Sequence, residues 1–91
     1  MAWQALYGRT FLKDLAGLPT GVREKIEAVV FGEAIKQDPF LGGKAEKMVG
    51  YREYYKIRFG SYRVGIRIDH ELQVFEFRRA LHRKDIYRRF P

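Results

Sequence analysis

The chain has 91 residues, of which 46% are hydrophobic, and its 18 Lys and Arg against 11 Asp and Glu give a formal net charge of +7. That length suits a single small domain over residues 1–91 with one core, and the apolar share excludes a disordered chain. The absence of cysteine excludes disulfide scaffolds and thiolate metal sites and fits a reducing cytoplasm, and neither a membrane-spanning apolar run nor a secretory leader is readable.

Ala2 to Tyr7 reads as a first strand, with Trp3 and Ala5 on one face and Ala2, Gln4 and Leu6 on the other. Thr10 is placed to cap a short helix, FLKDLAGL, in which Phe11, Leu15 and Leu18 recur at helical spacing before Pro19 stops it. Thr20 caps a longer helix with Val22, Ile26, Val29 and Val30 on one face and Arg23, Glu24 and Glu27 largely opposite. Phe31, Ala34 and Ile35 continue it through Gly32 to Asp38-Pro39, because the residue before proline avoids the helical region. The two helices form an α-hairpin across a Leu-Pro-Thr turn.

Phe40 to Gly50 reads as a loop bearing glycines and lysines. Strands follow at Tyr54–Phe59, Tyr62–Ile68 and Leu72–Phe77, the last two joined by the polar turn Asp69-His70-Glu71. His82 to Phe90 reads as a short helix anchored by Ile86 and Phe90, with Tyr87 off that stripe. The fold class is α+β: an N-terminal strand, an α-hairpin, a three-stranded antiparallel meander and a short C-terminal helix, with the helices packed on one face of the sheet.

The most informative stretch is the hairpin YYKIRFGSYRVGIR. Tyr55, Ile57 and Phe59 alternate with Lys56 and Arg58. Tyr62, Val64, Ile66 and Ile68 alternate with Arg63, Gly65 and Arg67. Successive side chains on a strand leave opposite faces, so one face is apolar and the other cationic. With Phe75 and Phe77 facing the core, Val74, Glu76 and Arg78 join that cationic face, which the fold would leave uncovered. A solvated sheet face ordinarily mixes charge signs, whereas like charges across strands repel by a few tenths of a kcal/mol each. Gathering them implies an anion. Arginine interleaved with aromatics suits phosphate and stacked bases, and cations on strands suit a membrane surface poorly. The tail RRALHRKDIYRRF adds His82, Arg83 and Tyr87.

Other chemistries lack their residues. Gly42-Gly43-Lys44 has neither the upstream glycine nor the following Ser or Thr of a phosphate-binding loop. Ser61 is the only serine and has no His–acid set. No histidine–carboxylate cluster suggests a metal, so no cofactor is expected.

The string YYKIRFGSYRVGIRID, followed by VFEF and then HRKDIY, resembles the RelE/ParE toxin superfamily over nearly the full chain. FLKDL from Phe11, Asp38-Pro39 and the Lys47-Met48-Val49-Gly50 segment match it in order and spacing. The resemblance implies a toxin of a type II toxin–antitoxin system. In the RelE branch such a toxin cleaves mRNA in the ribosomal A site, with 16S rRNA nearby; in the ParE branch it poisons DNA gyrase. The branches share a fold, so residues must choose. The RelE-type pattern falls here on Lys56, Arg58, Arg63, Arg83 and Tyr87 as catalytic positions, with His82, Arg67 and Arg78 as substrate-binding ones. The expected chemistry is metal-independent attack of the RNA 2′-hydroxyl on the adjacent phosphate. Lys56 would be the base, its ammonium form disfavoured by cationic Arg58 and Arg63; those two arginines would hold the phosphate. Arg83, with His82 in reserve, would serve the leaving oxygen, and Tyr87 would stack on a base. The alternatives are a ParE-like gyrase inhibitor and an inert basic nucleic-acid-binding module. The resemblance further implies a cognate acidic antitoxin, a cytoplasmic setting and no membrane partner.

Overall fold

The computed structural model describes residues 3–91. Five strands form one sheet in the order β1-β5-β4-β3-β2. β3 (Tyr54–Phe59) and β4 (Tyr62–Asp69) form the expected hairpin, paired Ile57↔Val64 and Arg58↔Arg63. Their alternation provides the strands, and Gly60 supplies the positive φ of 61° that the turn needs. β1 (Gln4–Tyr7) runs parallel to β5 (Val74–His82), aligning Ala5 with Phe75. Of the residues read into the first strand, Ala2 lies outside the described ones.

Two strand features differ from the sequence reading. β2 (Ala45–Lys47) lies where a loop was expected and pairs Glu46 with Lys56. Three residues are too few to show a period of two. β5 begins two residues later than expected and runs five further, to His82. Its late start follows from a wider turn, in which Asp69 accepts the Leu72 N–H at 3.1 Å and Gln73 adopts a φ of 55°. Its extension follows from a bulge opposite Gly65 and Ile66, beyond which Arg79 to His82 regain partners on β4.

α1 (Arg9–Ala16) starts one residue before Thr10, so Thr10 is helical and Gly8 holds the cap position. Gly8 is required there because a β-carbon would stand 2.9 Å from the Phe77 carbonyl oxygen. In α2 (Thr20–Val30), Thr20 is likewise the first helical residue and Pro19 precedes it. The helix ends at Val30 instead of continuing through Gly32, and α3 (Ala34–Gln37) is a separate turn. Buried Phe11, Leu15, Ile26, Val30 and Ile35 pack these helices against Ile57, Val64, Ile66, Phe75 and Phe77 on one face.

The α+β plan is the one read from the sequence; the C-terminal helix α4 (Arg83–Arg89) occupies a different side. Ile86 and Phe90 bury themselves with Met48 and Leu81, against Tyr54, as a second small core. The Phe90 ring lies over Gly65, which is directly opposite Lys56 in the hairpin. The face expected to stay open is therefore partly roofed by α4.

Asp14 ties α1 to the bulged strand. Its carboxylate accepts Arg79 Nε at 2.8 Å, Arg79 Nη2 at 3.3 Å and the Ala80 N–H at 3.0 Å. Asp14→Ala strands a mostly buried guanidinium and a backbone donor, so urea unfolding is expected to show a loss of about 3 kcal/mol. Tyr7 bridges layers differently, donating its hydroxyl to the Val30 carbonyl at 2.7 Å. Burial, and secondarily the charge of Glu33, raises its phenol above 10.0. The folded chain thus holds that proton more tightly than the unfolded chain. This contribution is complete below about pH 10 and disappears as pH rises through the raised value. Tyr7→Phe should cost about 1 kcal/mol at neutral pH and flatten the alkaline decline, measurable by urea titrations across that range.

Candidate functional site

Residues directly opposite in an antiparallel pair share a face. The pairs Tyr54↔Arg67, Lys56↔Gly65 and Arg58↔Arg63 put the hairpin's cations on the side that α4 roofs. The helix is fixed at its start by the Arg83 N–H donating to the Ser61 carbonyl at 2.8 Å, and by His82 Nδ1 accepting the Lys84 N–H at 3.2 Å. Ile86 and Phe90 pin its inner stripe. Arg83 and Tyr87, four residues apart, share the adjacent stripe. Tyr87 reaches Lys56: the ammonium donates to the phenol oxygen and lies 4.6 Å from the ring centroid. Tyr87 remains 62% exposed, so its ring is open to a ligand.

The cations are not equivalent. Arg63 is buried, and its Nη1 donates to the carbonyls of Gly60 at 2.7 Å and Tyr62 at 2.9 Å. Lys56, Arg63 and Arg83 have no carboxylate in ion-pair range among the described residues. Arg58 pairs with Glu46 at 3.2 Å, but both side chains are well exposed, so the pair is weak. Arg67 is held by Glu53 at 2.9 Å, with Asp69 at 3.9 Å. The Glu53 hydrogen bond raises its guanidinium further above its ordinary range. Arg78 meets Glu76 at 3.3 Å and lines a separate small cavity.

The nearly all-positive face expected from alternation is thus corrected to a divided one. Lys56 and Tyr87 come together, with Arg58 and Arg63 on the same strand face and Arg83 one helical turn before Tyr87, whereas Arg67 and Arg78 are drawn to their own carboxylates. His82 also stands apart. Its register partner is Tyr62, whose face is opposite that of Lys56; its ring packs edge-on against Tyr62 at 5.3 Å while its Nδ1 caps α4. The crowding invoked around Lys56 is reduced as well, since Arg58 is paired and Arg63 points its donors at backbone carbonyls.

Sequence reasoning did not identify the seat of α4, formed by Met48, Tyr54, Gly65 and Leu81. One signal was available: a glycine inside a strand often marks close approach by another group. On the helix-packed side, a groove of about 970 Å³ opens between α2, α3 and the β2–β3 edge, walled by Val29, Ile35, Leu41, Ile57 and Phe59. Among the described residues no group of three or more His, Cys, Asp or Glu could hold a metal, and no helix is long and apolar enough to cross a membrane.

Comparison with known proteins agrees with the α+β fold. Residues 6–87 match the family described as the ParE toxin of the type II toxin–antitoxin system parDE. The chain is 37% identical over 91 residues to Toxin RelE3 of Methanocaldococcus jannaschii, covering 97% of this chain and 99% of that protein. The toxin in the RelB–RelE antitoxin–toxin complex from Methanococcus jannaschii superposes with a TM-score of 0.75 at 38% identity, over 94% of this chain and 99% of that one. The free Escherichia coli toxin RelE, a mutant form, shares the fold at a TM-score of 0.73 and 22% identity, over 97% and 93% of the two chains.

Proposed function

Given that the chain belongs to the RelE/ParE superfamily of type II toxins, we propose that it is an endoribonuclease that cleaves mRNA in the ribosomal A site. The observation that carries this reading is the Lys56–Tyr87 contact, flanked by Arg63 and Arg83, which stand without carboxylate partners among the described residues. A surface built only to be soluble has no need to bring an exposed tyrosine onto a lysine through a separately anchored helix.

The reaction is transfer within the RNA. The 2′-oxygen attacks the adjacent phosphorus, the bond from phosphorus to the 5′-oxygen breaks, and a cyclic phosphate and a 5′-hydroxyl result. Lys56, as the neutral amine, takes the 2′-hydroxyl proton, and the Tyr87 hydroxyl fixes the direction of its nitrogen. Arg63 and Arg83 carry the charge that accumulates on the phosphorane. A guanidinium does not release a proton, so the departing oxygen receives its proton from solvent. Tyr87 offers its exposed face to a base beside the cut. With His82 on the other face, no histidine–carboxylate pair serves this site. That supports reliance on the ribosome, with 16S rRNA nearby, to hold the mRNA in line.

The RelB–RelE complexes of the relatives support an antitoxin partner for this chain too, and its charge of +7 favours an acidic one. The ParE description of the matched family favours the second reading, a gyrase inhibitor. Primer extension on mRNA from a translating extract separates the two. Codon-periodic new ends are expected on adding the chain, with gyrase supercoiling unaffected. Intact mRNA together with blocked supercoiling would replace the nuclease with the gyrase reading.

A further inference from the structure

The bulge in β5 does something that regular pairing would not. Gly65 pairs with Arg79 and Ile66 with Phe77, leaving Arg78 without a partner. In an unbroken strand, consecutive arginines would leave opposite faces. Here Arg78 and Arg79 both line one cavity of about 210 Å³ between the start of α1 and the end of α4, together with Thr10, Tyr54, Arg89, Phe90 and Pro91. Neither Asp14 nor Glu76 is among its lining residues, so the wall carries three guanidinium groups and no Asp or Glu; Pro91 also lines it, and among the described residues none of the three arginines is in ion-pair range of its carboxylate. Donors remain in hand. Arg79 gives Nε and Nη2 to Asp14 and keeps Nη1. Arg78 gives Nη1 to Glu76. Arg89 has no carboxylate in ion-pair range among the described residues.

This cavity adjoins the candidate catalytic cluster. Tyr54, on its wall, lies two residues from Lys56 on the same face of β3, about 7 Å along the strand. The Tyr54 ring meets Phe90 edge-on at 5.4 Å and Tyr51 edge-on at 6.0 Å. Tyr51 is 46% exposed and reaches the cavity only through Tyr54, the lining residue its ring packs on. A guanidinium-lined hollow next to an exposed aromatic is the pairing that single-stranded nucleic acid uses, phosphate in one and base on the other.

We infer that the Arg78–Arg79–Arg89 cavity is a subsite for a backbone phosphodiester of the RNA strand next to the cleaved linkage, with Tyr51 as the platform for the attached base. The inference rests on the ribonuclease reading and adds to it a site that holds the strand without touching the reacting atoms.

The test measures binding of a fluorescent single-stranded oligoribonucleotide to the chain carrying Lys56→Ala, across a salt series. In that background Arg78→Ala and Arg89→Ala are each expected to weaken binding about tenfold and to lower the salt slope by about one. Tyr51→Ala is expected to weaken it about fivefold or more with the slope unchanged. With Lys56 restored, Arg89→Ala should raise KM for mRNA cleavage and leave kcat in place. Ribosomes with and without mRNA in the A site distinguish the strand's source. A loss of affinity only with mRNA assigns the phosphate to mRNA, and an equal loss in both assigns it to ribosomal RNA and overturns the subsite as inferred. Unchanged affinity and slope in the arginine variants overturns the subsite, as does weakened binding of an acidic antitoxin peptide alone. Cleavage that persists with Arg89→Ala at unaltered KM sinks the subsite and spares the nuclease. RNA binding with the expected slopes but no cleavage by the unmodified chain spares the subsite and sinks the nuclease.

Discussion

Lys56→Ala is expected to lower mRNA cleavage by about 10²- to 10⁴-fold and to restore growth to cells expressing the chain. The side chain is half-buried at the rim of the site, and its polar contact is with Tyr87 from α4. Removing it takes away the proposed proton acceptor and leaves both cores intact. The unfolding midpoint in urea should therefore stay nearly where it was, within about 0.5 kcal/mol. Tyr87→Phe separates the two tasks of its partner: the ring and its stacking survive, and the hydroxyl that directs the lysine nitrogen is lost. An intermediate decline in single-turnover cleavage is expected, smaller than that for Tyr87→Ala. Full cleavage by Lys56→Ala would remove the lysine from the chemistry. Arg63→Ala is a less direct probe than the hairpin pattern implied, because the buried guanidinium also satisfies the Gly60 and Tyr62 carbonyls. Its effect on activity has to be read alongside a measured loss of stability.

Gly65→Ala is expected to inactivate the chain without altering any residue proposed to act on RNA. A β-carbon there would stand 2.7 to 2.8 Å from three atoms of the Phe90 ring, closer than carbon atoms can approach. Phe90 is 3% exposed and has little room to retreat, so α4 must lift. Overpacking of this kind costs about 1–3 kcal/mol. The functional effect should exceed that figure's modest scale, because Tyr87 moves with the helix and leaves Lys56. Adding Phe90→Leu should relieve the clash and return part of the activity, which a general folding defect would not do. The comparison is cleavage rate against thermal midpoint for the single and double variants. Normal cleavage by Gly65→Ala would mean that the seat of α4 does not set the position of Tyr87.

Much of the scaffold was legible in the residues. The β3–β4 hairpin was readable because it is long, strictly alternating and closed by a glycine turn. The α1–α2 pair was readable from its helical stripes, although the first cap was displaced by two residues, from Thr10 to Gly8, and the second by one, from Thr20 to Pro19. Lys56, Arg58, Arg63, Arg83 and Tyr87 were nameable from the resemblance; four of them lie around one roofed face, and Arg83 stands one turn before Tyr87 on α4. Arg67 and Arg78 were nameable from strand alternation and His82 from its place beside Arg83, yet they stand outside that cluster. The difference lies in partners, of which periodicity reveals only Glu76 beside Arg78. Glu53 reaches Arg67 from a loop, Glu76 shares a strand with Arg78, and a bulge re-aims two arginines together.

The residues alone determined the local order of this protein, because alternation, helical stripes and turn glycines act over a few positions along the chain. They also determined that an excess of arginine would gather on one hairpin face. Tertiary structure decided which of those cations stay available, because a charge is neutralised by whatever carboxylate arrives from another segment. It also decided the place of α4, because the patch of Met48, Tyr54 and Leu81 and the gap over Gly65 exist only after three strands and a loop have met. Without that patch, the Ile86–Phe90 stripe would have no surface on which to bury itself, and Tyr87 would have no fixed position over Lys56.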